Sequence, residues 1–158
     1  MVIQRWQSVL LLIAAVMMGI FSFCSLGQIQ YFNDSVDITT LGLQYEGEPT
    51  AGGQSGYLLS TVYIFVISLV SMTIPFIAIF CFKNLRLQKR LCLLTCLLIM
   101  ATCLSEALTV YYSGITAQEA PGWSSIVAAP FIALIAVLTA WRCINSDKKK
   151  LEGYDRLR

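Results

Sequence analysis

The stretch Leu91–Tyr112 reads LCLLTCLLIMATCLSEALTVYY, an apolar run with one charged residue, Glu106. Its length decides its solvent. A helix needs about 20 residues to cross a hydrocarbon core of about 30 Å, and this run fills that span. Three more runs of the same kind lie at Ser8–Leu26, Tyr57–Phe82 and Trp123–Trp141, and Glu106 is the only charge in any of the four. Across 158 residues, 57% are hydrophobic and 13% charged, well below the roughly 25% charged share of a soluble domain. In lipid, backbone N–H and C=O groups must be paired within the segment, which selects helices or closed barrels. A barrel needs short alternating strands, and these runs are apolar all round. The expected fold class is an all-α integral membrane protein, an antiparallel four-transmembrane-helix bundle forming one domain over 1–158. The helices are expected near 6–26, 57–82, 91–112 and 123–144, with outer loops 27–56 and 113–122 and a tail 145–158.

The basic residues orient this bundle. Arg5 precedes the first run, Lys83, Arg86, Lys89 and Arg90 separate the second from the third, and the other six follow the fourth. The remaining two connections contain no Lys or Arg, and the longer one carries Asp34, Asp37, Glu46 and Glu48. All eleven basic residues thus fall on one side, which the positive-inside rule makes cytoplasmic, with both termini there. The positive charge is then a topology determinant with an affinity for anionic headgroups, and the expected partner is the lipid bilayer, not nucleic acid. The first run also has features of a cleavable signal peptide. Its apolar length, extended by Met17, Met18 and Gly19, favours an uncleaved anchor.

The first outer loop carries a local pattern, SVDITTLGLQYEG over residues 35–47. Val36 and Ile38 alternate with polar residues, the phase changes at Thr39-Thr40, and Leu41, Leu43 and Tyr45 resume it. A period of two with β-branched and aromatic residues reads as strand, and the change of phase as a turn or bulge. A small strand pair on the outer mouth of the bundle and a solvated loop without persistent sheet both fit. Glu48-Pro49 through AGGQSG reads as a flexible return.

On a helical wheel Cys92, Cys96, Cys103 and Glu106 share a face of the third helix, flanked by Thr95, Thr102 and Thr109, while Leu93, Leu97, Leu104 and Leu108 point the other way. Small and weakly polar residues on one face, with Leu opposite, separate a packing seam from a lipid face. The fourth helix repeats the division with Ala129, Ala133, Ala136 and Ala140, one turn after Ser125. The second offers Ser68, Ser71, Pro75 and Ala78, and the first Ala15, Gly19 and Ser22. Pro75 and Pro130 are expected to bend their helices. Glu106 stands on the inward face about 22 Å up the core, at 1.5 Å per residue from Leu91. The lack of Lys or Arg at that depth makes hydroxyls its expected partners: Thr102, Ser105, Thr109, Tyr57 or Tyr63. Glu106 with Thr102 and Thr109 is the candidate polar site. It reads either as a structural hydrogen-bonding centre or as a protonatable or cation-coordinating group at the end of an outward-facing cavity.

Other chemistry finds little purchase. None of the six cysteines is in an outer loop, where a thiol oxidant would need them, and the chain contains no histidine. Cys92 and Cys96, four apart, offer a soft-metal pair, but small packing residues account for them better. No catalytic, cofactor-binding or metal set is assigned, no cofactor is expected, and the chain is not expected to be an enzyme.

Ile3, Gln4, Arg5 and Gln7 before the first helix, and Asp155, Arg156, Leu157 and Arg158 at the end, resemble the terminal blocks of a family of small four-helix bacterial inner-membrane proteins, domain of unknown function 4293. The hydropathy profile and the long first outer loop agree along the chain. The resemblance implies fold and a multi-pass place in the bacterial inner (plasma) membrane, and brings no assigned residues. The expected function is a non-enzymatic accessory or scaffold subunit, joined to a membrane-protein partner or to itself through small-residue seams. The alternative is a small transporter or channel using Glu106.

Overall fold

The computed structural model describes residues 2–31, 34–45, 57–81, 84–114 and 122–156. In chain order these form α1 (Val2–Phe23), β1 (Gly27–Tyr31), β2 (Asp34–Thr39), β3 (Gly42–Tyr45), β4 (Tyr57–Ser60), α2 (Val62–Phe80), α3 (Leu85–Gly114), β5 (Gly122–Trp123), a 3-10 turn (Ser125–Ala128) and α4 (Ala129–Arg156). All four α-helices are long and apolar enough to cross a membrane, and the protein is a multi-pass integral membrane protein.

One spacing organises the bundle. The seam of buried positions runs through Gln7, Leu11, Ala14, Met18 and Phe21 in α1, with Ala15 and Ser22 buried beside it, and through Ile64, Ser68, Ser71, Pro75 and Ala78 in α2. In α3 they run Gln88, Cys92, Thr95, Ile99, Thr102, Glu106 and Thr109; in α4, Ala129, Ala133, Ala136 and Ala140. Each list alternates steps of four and three. That is a 3.5-residue repeat, which keeps a seam facing its neighbours when helices cross at about 20° with left-handed coiling. α1 packs against α2 and α4, and α3 against the same two, so the helices close a square in chain order. Many seam residues are small or hydroxylated, which lets backbones approach closely without an apolar driving force between lipid-solvated helices. Leu93, Leu97, Leu104 and Leu108 lie on the exposed face, as their wheel positions predict.

An antiparallel sheet of order β4-β3-β2-β1-β5 caps one end. The period-two residues point inward: Ile29, Val36, Ile38 and Leu43 are buried and join the same core as Leu11, Met18 and Ile99. β2 and β3 meet through a tight turn at Thr40-Leu41, closed by Thr39 Oγ1 donating to the Gly42 carbonyl at 2.9 Å. Gly42 has φ 138°, a region that side chains other than glycine's rarely occupy. A hydroxyl chain sews the sheet to the bundle. Thr61 Oγ1 donates to the Thr40 carbonyl (3.2 Å), Thr40 Oγ1 to the Ser22 carbonyl (2.8 Å), and the Ser22 and Ser68 hydroxyls meet at 2.9 Å.

The structure moves several boundaries. The first helix ends at Phe23 rather than 26, because Leu26 N–H donates to the Ile38 carbonyl and Leu26 O accepts from Ser124 N–H, placing Leu26 in the sheet. The second begins at Val62 rather than 57: Tyr57–Ser60 is a strand on β3, and a short apolar run cannot be told from the start of a helix by periodicity. The third begins six residues early, at Leu85. Its basic residues stay helical because long stems lie along apolar surface while their charges reach water. The fourth starts at Ala129 rather than 123 and continues past 144 to Arg156, so most of the expected tail is helix. Pro130 therefore sits in the first turn of α4, where a missing N–H costs nothing, and Ser125 is exposed in the 3-10 turn. The strand pair proper is β2–β3. Three further strands join it, one from the second connection. The return at 46–56 lies outside the described residues.

Candidate functional site

α3 carries Thr102, Glu106 and Thr109 on consecutive seam positions, all buried, so the structure places the three sequence candidates on one line. It does not join them by hydrogen bonds. The hydroxyls expected to serve Glu106 are turned back on their own helix. Thr102 Oγ1 donates to the Ile99 carbonyl (2.8 Å), Ser105 Oγ to that of Thr102 (2.9 Å) and Thr109 Oγ1 to that of Ser105 (3.0 Å). Such back-bonding satisfies a hydroxyl inside an apolar helix and leaves its proton unavailable to a neighbour. Tyr63 is mostly exposed, and the Tyr57 side chain lies outside the described set. Glu106 is 7% exposed, and both of its carboxyl oxygens are buried without a hydrogen-bond partner among the described residues.

The Glu106 side chain borders a space. A cavity of about 150 Å³ is lined by Glu106, Cys103, Ala107 and Val110 of α3, by Phe21 of α1 with Leu26 beyond it, by Val127 of the 3-10 turn, by Pro130 and Phe131 at the start of α4, and by Trp123 of β5. Local sequence explains the gap. Pro130 and the 3-10 turn set the first residues of α4 on a path of their own, while Ala107 supplies little bulk opposite Phe131. Ala107, Phe131 and Trp123 are exposed, so the mouth opens sideways between α3 and α4, onto the lipid-facing surface. The sheet end is covered by Leu26 and Trp123, which hold their places because Ser124 N–H bonds Leu26 O at 2.9 Å and Gly27 pairs with Trp123. Toward the other end, Leu11, Met18, Ile99, Ala133 and Val137 are fully buried.

A bare carboxylate in apolar surroundings is strongly unfavourable and must be neutralised by a proton or a cation. Among the described residues, the basic side chains Arg86, Lys89, Arg90 and Arg142 lie toward the opposite end of the helices. There Lys89 Nζ donates to Asn145 Oδ1 (2.8 Å) and lies 5.2 Å from the Trp141 ring centroid. Gln7 Nε2 donates to Asp147 Oδ2, tying α1 to α4. Sequence reasoning missed this second polar layer, although Asp147 continues the seam steps of Ala140 and Ile144. It also missed the lining contributed by β5 and the 3-10 turn, for which the sequence carries no periodic signal.

The cysteines are spread through the helices. Cys92 is buried in the core, Cys96 and Cys103 are half-buried beside the seam, and all six are free thiols. Among the described residues, no group of three or more Cys, Asp or Glu side chains is placed to hold a metal ion.

A family model described as domain of unknown function (DUF4293) matches residues 3–157, so the chain belongs to that family over nearly its whole length. No curated protein and no solved structure matches the chain.

Proposed function

We propose, for a chain that belongs to the DUF4293 family, that it is a non-enzymatic accessory subunit of the bacterial inner membrane, with its sheet outside and its basic end in the cytoplasm. One observation carries the reading: the cavity at Glu106 opens sideways, into the plane of the bilayer, while the axis below it is filled by Ile99, Ala133 and Val137. A lateral opening addresses what shares the membrane, whereas a transport route has to continue along the helices. The uniform placement of Lys and Arg at one end supports the orientation.

A photoreactive residue replacing Ala107 or Phe131 in native membranes is expected to give a discrete protein adduct. The same probe at Val70, on the exposed face of α2, is expected to give lipid adducts alone. Lipid adducts from all three positions would end the accessory reading. The unpartnered carboxyl favours a second reading, a small transporter or channel using Glu106. Proton or alkali-cation flux in proteoliposomes that disappears in Glu106→Gln would put that reading first.

A further inference from the structure

The Glu106 crevice has an opening, a depth, a size and a charge, and together they narrow what fills it. We infer that it receives one basic side chain, a lysine or arginine, from a transmembrane helix of another protein lying across the mouth between α3 and α4. The inference rests on the accessory-subunit reading and names the chemistry of the partner.

The carboxyl comes first. Glu106 is more than nine-tenths buried, lines the cavity, and has no hydrogen-bond partner on either oxygen among the described residues. Its three nearest hydroxyls along α3 donate to backbone carbonyls instead. Five N–H donors of an arginine or three of a lysine would serve both oxygens at once. The connections at that end, 27–56 and 113–122, contain no Lys or Arg, so neither this chain nor a second copy in the same orientation supplies one there.

Size and depth narrow the source. A cavity of about 150 Å³ accommodates a benzene-sized group of roughly six heavy atoms, which suits one long side chain and is below the usual range of about 300 Å³ upward for ligand pockets. Glu106 lies five residues before Tyr111, about 7.5 Å deeper along the helix axis. Lipid amines sit at headgroup level, and Leu26 and Trp123 line the cavity on the side toward the sheet. A neighbouring helix passes the mouth at the depth of the carboxyl, and a Lys or Arg stem spans the remaining distance while its apolar methylenes contact Ala107 and Phe131.

The test uses the full chain reconstituted in phosphatidylcholine vesicles with a synthetic Leu/Ala transmembrane peptide. One peptide carries a single Lys about five residues inside the outer boundary; its partner carries Leu there. Association is read by energy transfer between labels. The Lys peptide is expected to bind at least about tenfold more tightly than the Leu peptide, roughly the 1.4 kcal/mol that a tenfold ratio represents. Glu106→Gln should abolish that preference and leave Leu-peptide binding unchanged. Ala107→Trp, which fills the mouth from an exposed position and keeps the carboxyl, should weaken Lys-peptide binding as well, and serves if the Gln variant is poorly folded. Equal binding of the two peptides, or a preference that survives Glu106→Gln, overturns the inference. So does phosphatidylethanolamine that displaces the Lys peptide from the parent, since the crevice would then hold a lipid amine. A photo-adduct at Ala107 that persists in a Glu106→Gln background, alongside equal peptide binding, would leave the accessory subunit standing and remove only the basic side chain.

Discussion

A single carboxyl in an apolar helix invites the expectation that its neighbours bond it, and at the scale of the residue the structure reverses that expectation. Thr102, Ser105 and Thr109 are already satisfied by carbonyls of α3, so removing Glu106 orphans none of them. An unsatisfied buried polar group costs about 1–3 kcal/mol. Glu106→Leu is therefore expected to raise the stability of the isolated protein by about that amount, and Glu106→Lys to lower it by burying an unpaired cation. Thermal unfolding in detergent separates the two, and a Leu variant less stable than the parent would mean that the carboxyl has a partner in the bundle. A residue that costs stability alone is the kind retained for something it meets from outside.

Two elements carry opposite lessons about close contact. β1 and β5 meet at Gly27, where an added Cβ would lie 2.6 Å from the Gly122 carbonyl oxygen, whereas one on Gly122 would meet nothing nearer than 3.6 Å. Gly27→Ala should push β5 away and loosen the Trp123 cover of the cavity, at about 1–3 kcal/mol; Gly122→Ala should be mild. Limited proteolysis within the 115–121 connection reads this directly, and equal cleavage rates in the two variants would be against it. In the helices, Ala133 is fully buried in the α4 seam while Leu104 is 64% exposed on the lipid face. Ala133→Leu should cost about 1–3 kcal/mol through overpacking, and Leu104→Ala much less. Similar losses of thermal stability would show that the faces are exchanged.

For the whole molecule the informative asymmetry is between its ends: a hydroxyl-sewn sheet at one, and at the other the Gln7–Asp147 and Lys89–Asn145 ties among basic residues. The proposed orientation, with the basic end cytoplasmic, predicts that a membrane-impermeant thiol reagent applied outside modifies a cysteine at Ser35 but not one at Asn84, in a variant lacking its own six cysteines. Modification at Asn84 would invert the protein in the membrane.

How much of this was legible before folding depends on the range of the forces involved. Four spans, their antiparallel order and the shared end for every Lys and Arg follow from length, apolarity and charge placement along the chain. The Leu faces and the Ala seam follow from local periodicity, and so does the turn between Val36-Ile38 and Leu43. A wheel at 100° per residue gives the α3 face to the cysteines, Cys96 and Cys103 among them, with the threonines beside them. Packed at a 3.5 repeat, the seam drifts by about 20° per heptad from that wheel, so Thr95, Thr102 and Thr109 take the centre and the two cysteines the edge. Other features belong to tertiary structure alone. Tyr57–Ser60 is a strand only because β3 lies beside it, and Gly122–Trp123 only because Gly27 lets a backbone approach. Glu106 is inward by its position in the sequence. That it stands unpartnered at a sideways opening was decided where α1, α3, α4 and β5 meet, since a hydrogen bond and a cavity each depend on residues that the chain brings together from far apart.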